Sequence, residues 1–192
     1  MNAFPKLIAL AGLVSGARAI EPMQTVDVGA YIGRWYQTYA SPSVAFTFQI
    51  GGNCVTADYN TTQYDNIVSV LNIVRPLAAD VPISIKGYAI QDPNVDGALQ
   101  VALGPTADVN NPTEFVSGNG YWIVDLGPIN AAGQYDWATV SDSNQVTLYV
   151  LARDPVVFAS EYEDQVLDTL REQGFTGRAN SPIKTNQENC NY

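Results

Sequence analysis

The chain has 192 residues, 46% of them hydrophobic and 15% charged, which allows one domain with a substantial core and is short for two. The formal net charge of −10 argues against a basic surface for nucleic acid and against binding to an anionic membrane. The sequence contains no histidine, so Ser-His-Asp and Cys-His nucleophile systems cannot be built and the commonest metal ligand is missing. We therefore expect no enzymatic activity, no metal and no cofactor.

The first 19 residues have the organisation of an export signal. Lys6 supplies a positive charge, residues 7–14 form a short apolar run, and residues 17–19 (Ala-Arg-Ala) have the small-x-small form that signal peptidase cleaves. The run is too short for a stable membrane anchor, and no later run is long enough to insert. The pattern predicts a secreted protein with a signal peptide at 1–19 and one domain at 20–192. An ordinary N-terminal helix is the alternative.

Eight short runs rich in β-branched and aromatic residues follow, separated by Gly, Pro, Asn, Asp and Ser. The predicted strands are residues 33–40, 53–60, 67–74, 83–91, 97–103, 120–126, 134–141 and 146–153. Mostly short turns join them, as residues 142–144 (Asp-Ser-Asn) join the last two. This order predicts an antiparallel up-and-down meander.

One amphipathic helix follows the eighth strand. Asp154 suits the N-cap, Pro155 suits the first helical position, and Gly174 is placed to end the helix. An apolar stripe recurs every four residues and comprises Phe158, Tyr162, Val166 and Leu170. A single helix cannot cover both faces of an eight-stranded sheet. We therefore predict an all-β fold, a closed eight-stranded antiparallel barrel with the C-terminal helix packed outside.

Cys54 and Cys190 are the only cysteines. In an exported chain an isolated pair most simply forms one disulfide, which would tie the C-terminal tail to the second strand; two free buried thiols are the alternative. Asn60 begins the only acceptable glycosylation sequon, which is usable in a eukaryotic host if the site is exposed.

Several motifs, in this order, resemble the lipocalin family. Residues 33–36 (Gly-Arg-Trp-Tyr) resemble its G-x-W signature, and residues 53–59 resemble the second strand of the apolipoprotein D and bacterial lipocalin branch. Residues 121–125 and 135–138 resemble the second conserved region, and residues 148–155 resemble the third, in which an arginine follows the last barrel strand. The resemblance covers nearly all of the chain from Val26 to Cys190.

The resemblance implies a structural signature formed by Gly33, Trp35 and Arg153. Trp35 would plug the closed end of the barrel with the Arg153 guanidinium laid across its ring, a contact that contributes about 0.5–2 kcal/mol. A clamp for a ligand carboxylate is the alternative role for Arg153. The pair Cys54–Cys190 also matches a disulfide of the apolipoprotein D branch.

The family alignment and the two-residue alternation of strands imply which side chains face the interior. The implied ligand-binding residues are mainly apolar, with three hydroxyls and one amide: Ala57, Tyr59, Val70, Asn72, Ile85, Leu99, Val101, Leu103, Tyr121, Ile123, Ala138, Val140, Tyr149 and Leu151. Filled-core packing explains the same pattern. Apart from Arg153, no basic residue is among the inward-facing side chains, and Lys86, whose parity is opposite to that of Ile85, should face solvent. An anionic head group would therefore sit at the mouth, in water. Phe46 and Phe48 are candidates for a lid.

The implied function is a secreted carrier that binds one small hydrophobic partner, such as a fatty acid, sterol, retinoid or pigment. One alternative is a lipocalin-fold enzyme that acts on a bound lipid, with Asp125 as a candidate inward carboxylate. The other is a secreted interaction protein whose barrel is filled. The sequence makes no prediction of the oligomeric state.

Overall fold

The computed structural model describes residues 19–47, 49, 52–76, 81–115 and 120–192. Within these residues the strands are β1 Gly33–Ala40, β2 Asn53–Thr61, β3 Ile67–Arg75, β4 Ile83–Gln91, β5 Ala98–Leu103, β6 Tyr121–Leu126, β7 Trp137–Ser141, β8 Leu148–Ala152 and β9 Ile183–Lys184. The helices are α1 Val28–Tyr31, α2 Pro42–Ala45, α3 Pro155–Val157 and α4 Glu163–Glu172, with a π-helical turn, Phe158–Tyr162, joining the last two.

The strands form a closed barrel. Each strand from β1 to β7 pairs antiparallel with the next, and β8 pairs antiparallel with β1. On β1, Trp35 lies opposite Ala57 of β2 and Tyr36 lies opposite Ala152 of β8. The predicted antiparallel barrel is therefore confirmed. The short β9 adds to the free part of β1, where Ala40 pairs with Ile183.

The wall is unevenly joined. Among the described residues, eight residue pairs connect β3 to β4, whereas two pairs connect β5 to β6. The described ladder between β5 and β6 is therefore short and lies near Leu99 and Tyr121.

Four strands begin later than the sequence predicts: β5 and β6 by one residue, β7 by three and β8 by two. Before β7, the Asn130 amide oxygen accepts the Gln134 amide, and the Tyr135 and Asp136 amides donate to backbone carbonyls outside the sheet ladder, so β7 begins at Trp137. The Asp142 carboxylate accepts the Val146 and Thr147 amides, so β8 begins at Leu148.

The C-terminal helix packs on the outside of the barrel, as predicted. Asp154 caps it by accepting the amides of Val156 and Val157. After the helix, Gly174 adopts a φ of +88°, the left-handed conformation that favours glycine. The predicted stripe faces β1, β7 and β8, with Tyr162 only partly buried and Phe158, Val166 and Leu170 fully buried.

Two hydrophobic clusters lie on opposite faces of the same strands. The outer cluster packs the helix against Tyr39, Trp137 and Val150. The inner cluster surrounds Trp35 and includes Leu151. Strands β1, β7 and β8 are therefore covered on both faces.

Part of the predicted export signal, residues 1–18, lies outside the described residues, as does Phe48. In the described part of the chain no helix is both long and apolar enough to cross a membrane.

Candidate ligand-binding cavity

One end of the barrel is closed by the N-terminal segment. The Met23 amide donates to the Ile123 carbonyl and the Gly97 amide donates to the Met23 carbonyl, both at 2.8 Å, so this segment crosses the end of the barrel. It then enters α1, whose first turn is capped by Asp27. Beneath α1 lies the fully buried Trp35. We call this closed end the floor.

Trp35 and Arg153 hold the floor together. The guanidinium carbon of Arg153 lies 3.7 Å from the centroid of the Trp35 ring. The guanidinium donates to the carbonyl oxygens of Ala30, Tyr31, Ile32 and Arg34, at 2.7–3.0 Å. Burial lowers the pKa of Arg153 to about 10, so the group remains charged near neutral pH. These donors are directed at backbone carbonyls, and Arg153 does not line the cavity described below.

Gly33 leaves room for this arrangement. Its φ of +101° is a backbone conformation that residues with a side chain rarely adopt, and an added Cβ would lie 3.2 Å from the Arg153 Nη1 atom. The Trp35 Nε1 atom donates to the Tyr31 carbonyl at 2.8 Å, which ties β1 to α1.

Above the floor lies a cavity of about 1390 Å³ that opens at the other end of the barrel. The structure places these predicted residues on its wall: Ala57, Tyr59, Val70, Asn72, Ile85, Leu99, Val101, Leu103, Tyr121, Ile123, Tyr149 and Leu151. Ala138 and Val140 are instead fully buried in the cluster around Trp35 and do not line the cavity. Both point inward as their parity predicts, but they meet packed side chains rather than open space.

Sequence reasoning missed the contribution of the N-terminal segment. Val26, Val28 and Tyr31 line the cavity, although they precede the first strand. Strand periodicity cannot place such residues. No periodic signal could have found Tyr31, because it ends the four-residue helix α1 and Trp35 lies on the following strand.

Three tyrosine side chains form a hydrogen-bonded cluster on the floor. The Tyr121 hydroxyl lies 2.7 Å from the Tyr31 hydroxyl and 3.1 Å from the Tyr59 hydroxyl. The Tyr31 ring lies 5.2 Å from the Trp35 ring, centroid to centroid, so the cluster rests directly on the plug. We call Tyr31, Tyr59 and Tyr121 the tyrosine cluster.

Burial keeps these phenols protonated. It raises the pKa of Tyr59 to about 12 and raises the pKa of Tyr31 and Tyr121 well above the ordinary value. A fourth cavity hydroxyl, that of Tyr149, also has its pKa raised by burial to about 12. Near neutral pH the cavity therefore presents neutral phenols.

The charged residues of the cavity are acidic and lie at turns. Among the described lining residues there is no lysine or arginine, whereas Asp65, Asp92, Asp96 and Asp142 contribute. Hydrogen bonds from the hydroxyl and amide of Thr147 help to lower the pKa of Asp142, although its partial burial acts in the opposite direction. Within the described residues, no three His, Cys, Asp or Glu side chains are grouped so as to hold a metal ion.

Other predicted residues lie away from the cavity. Phe46 is 70% exposed and does not line it, and Asp125 also lies outside the lining and accepts the Leu126 amide. Asn60 is exposed at the end of β2. Cys54 and Cys190 form the predicted disulfide, with an S–S distance of 2.05 Å.

The family model described as "Lipocalin-like domain" matches residues 26–182 of the chain. A search of the curated proteins finds no match.

Proposed function

The chain belongs to the lipocalin-like domain family, and from this premise we propose that it is a carrier that holds one small hydrophobic molecule inside its barrel. The observation that carries the proposal is the cavity of about 1390 Å³ with a largely apolar wall. Small-molecule sites are concave and mostly apolar, with a few placed polar groups. The alternative of a filled barrel is disfavoured by this open volume.

A hydrocarbon tail is a sufficient source of affinity. Burial of each methylene contributes about 0.8 kcal/mol, so about ten methylenes contribute about 8 kcal/mol before the cost of association. The volume of about 1390 Å³ supports a ligand with a tail of this kind, such as a fatty acid, a sterol, a retinoid or a similar pigment. We propose a ligand from these classes.

We further propose that the protein is secreted and acts without catalysis. The Cys54–Cys190 disulfide supports an oxidising compartment, and its link between β2 and the tail supports the apolipoprotein D and bacterial branch. Both cysteines are engaged in the disulfide, and the phenols of the cavity stay protonated near neutral pH. These features leave the described part of the cavity without a free thiol or an ionised phenol that could act as a nucleophile or a general base.

The test uses a neutral fluorescent probe, N-phenyl-1-naphthylamine, with palmitate and retinol as competitors. We expect a saturable rise in probe emission and displacement by at least one competitor. Val101→Trp, which fills part of the cavity, should weaken probe binding at least threefold. Lys86→Trp adds the same side chain at an exposed position of β4 and should leave binding unchanged. The absence of any saturable response from the wild-type protein would overturn the proposal.

A further inference from the structure

We propose that the tyrosine cluster is a binding site for an uncharged hydroxyl head group, and that the cavity therefore selects a long-chain or cyclic alcohol over a carboxylate. The inference rests on the proposed function, because it requires that the cavity hold a ligand. It names the chemical class that the floor of the cavity recognises.

The geometry of the cluster leaves hydrogen-bonding capacity for a ligand. Three hydroxyls carry three protons, and the two contacts made by the Tyr121 oxygen use two of them. One proton remains on one of the three hydroxyls, because either oxygen can be the donor in each contact, and lone pairs remain to accept from a ligand. Tyr31, Tyr59 and Tyr121 all line the cavity, so this capacity faces its interior.

A ligand hydroxyl matches both the remaining proton and the lone pairs. It accepts the remaining tyrosine proton and donates its own proton to a tyrosine oxygen. The surrounding wall is apolar, and Val70 and Ile123, which pack in the same cluster as the three rings, are almost fully buried. In such surroundings a polar group left without a partner is costly, so the cluster gains from a partner that both donates and accepts.

A carboxylate has no proton to donate and meets no cationic side chain on the described cavity wall, although the Arg153 charge beneath it acts on Tyr31. The described lining contains no lysine or arginine. The Arg153 guanidinium stacks on the Trp35 ring and donates its hydrogen bonds to backbone carbonyls. The four lining aspartates and the net charge of −10 add repulsion. A buried anion without a cation carries a desolvation penalty that neutral phenols do not offset.

The experiment compares two ligands with the same tail, dodecan-1-ol and dodecanoate, as competitors of N-phenyl-1-naphthylamine at pH 8. We expect the dissociation constant of the alcohol to be at least tenfold lower. Tyr121→Phe removes the central oxygen and should reduce this ratio to below threefold, with each competitor's constant calculated from the affinity of the variant for the probe. Tyr162→Phe removes a tyrosine hydrogen bond on the outside of the barrel, to Asp136, and should leave the ratio intact.

A second measurement needs no variant. As the pH falls from 8 to 4, dodecanoate becomes neutral through its own carboxyl pKa of about 4–5. Its affinity should then rise towards that of the alcohol, whose affinity should stay constant.

The outcomes separate the two proposals. If the probe binds but dodecanoate competes as well as the alcohol at pH 8, the head-group inference is wrong and the carrier proposal stands. An intact ratio in folded Tyr121→Phe would also overturn it, because the cluster would then serve packing alone. If neither the probe nor either ligand binds, the carrier proposal itself fails.

Discussion

The two ends of the barrel are built from similar residues and differ in what those residues contact. At the floor, Trp35 is fully buried between α1 and the Arg153 guanidinium. At the mouth, Ile83, Ile85 and Leu103 remain 57%, 42% and 39% exposed. The same apolar pattern is therefore packed at one end and open at the other.

This difference separates stability from binding. A packed side chain gains many dispersion contacts and leaves water, whereas a side chain facing open space gains few. The packed residues around Trp35 are expected to determine the free energy of unfolding, and the residues that face open space to determine affinity for a ligand.

Removal of the floor plug should have the largest effect. Trp35→Ala loses the burial of the ring and leaves a cavity beneath Arg153, which costs about 3–5 kcal/mol of the free energy of unfolding. Urea denaturation measures the change. Phe46→Ala removes an aromatic ring that is 70% exposed and should change the free energy by less than about 0.5 kcal/mol. Equal effects of the two substitutions would refute the role of the plug.

A disulfide is expected to stabilise the mouth end of the barrel. Cys54 is buried near the start of β2, after the β1–β2 connection, and its bridge to Cys190 closes a loop with a sequence separation of 136. The double variant Cys54→Ala, Cys190→Ser should lose about 2–4 kcal/mol in thermal or urea unfolding. The same loss should follow reduction of the wild-type protein with dithiothreitol. An unchanged midpoint after complete reduction would contradict this prediction.

Alkaline pH should weaken the floor. The folded pKa of Tyr59, about 12, lies above the unfolded value of about 10, so its contribution is fully present below pH 10 and is lost as the pH rises through 12. The free energy of unfolding should therefore fall by more than about 1 kcal/mol per pH unit in this window. Absorbance at 295 nm monitors the ionisation of tyrosine. Titration of Tyr59 near pH 10 in the folded protein would contradict the prediction.

Substitution at the mouth should have the smallest effect on stability. Ile85→Ala removes a half-exposed side chain from the cavity wall and should cost less than about 1 kcal/mol. The affinity for N-phenyl-1-naphthylamine should nevertheless fall about two- to fivefold, because part of the wall is lost. A loss of stability as large as that of Trp35→Ala would remove the contrast between the two ends.

The sequence predicts the strands well because alternation and turn residues are local signals. The bounds of β1 and β4 agree with the structure, and the barrel follows from the number of strands and the single helix. The short helices α1 and α2 and the two-residue β9 carry no such pattern. Their positions depend on contacts made by the rest of the chain, such as the Thr185 amide donating to the Thr38 carbonyl.

Which inward residues meet open space is not a local property. Val101 and Val140 have the same side chain and the same inward orientation, yet Val101 lines the cavity and Val140 packs against the floor. Position along a strand determines whether a side chain faces the barrel interior or the outside. Whether an inward side chain meets other side chains or open space depends on its distance from the packed floor. Tyr31 illustrates the same limit, since it reaches the cavity from outside the barrel strands.

The uneven joining of the wall has a consequence for motion. Within the described residues, two residue pairs connect β5 to β6 and eight connect β3 to β4, so separating β5 from β6 there breaks fewer backbone hydrogen bonds. Hydrophobic clusters cover the outer faces of β1, β7 and β8 and also those of β3 and β4. We therefore expect amide hydrogen exchange to be faster where β5 meets β6 than in the middle of these covered strands.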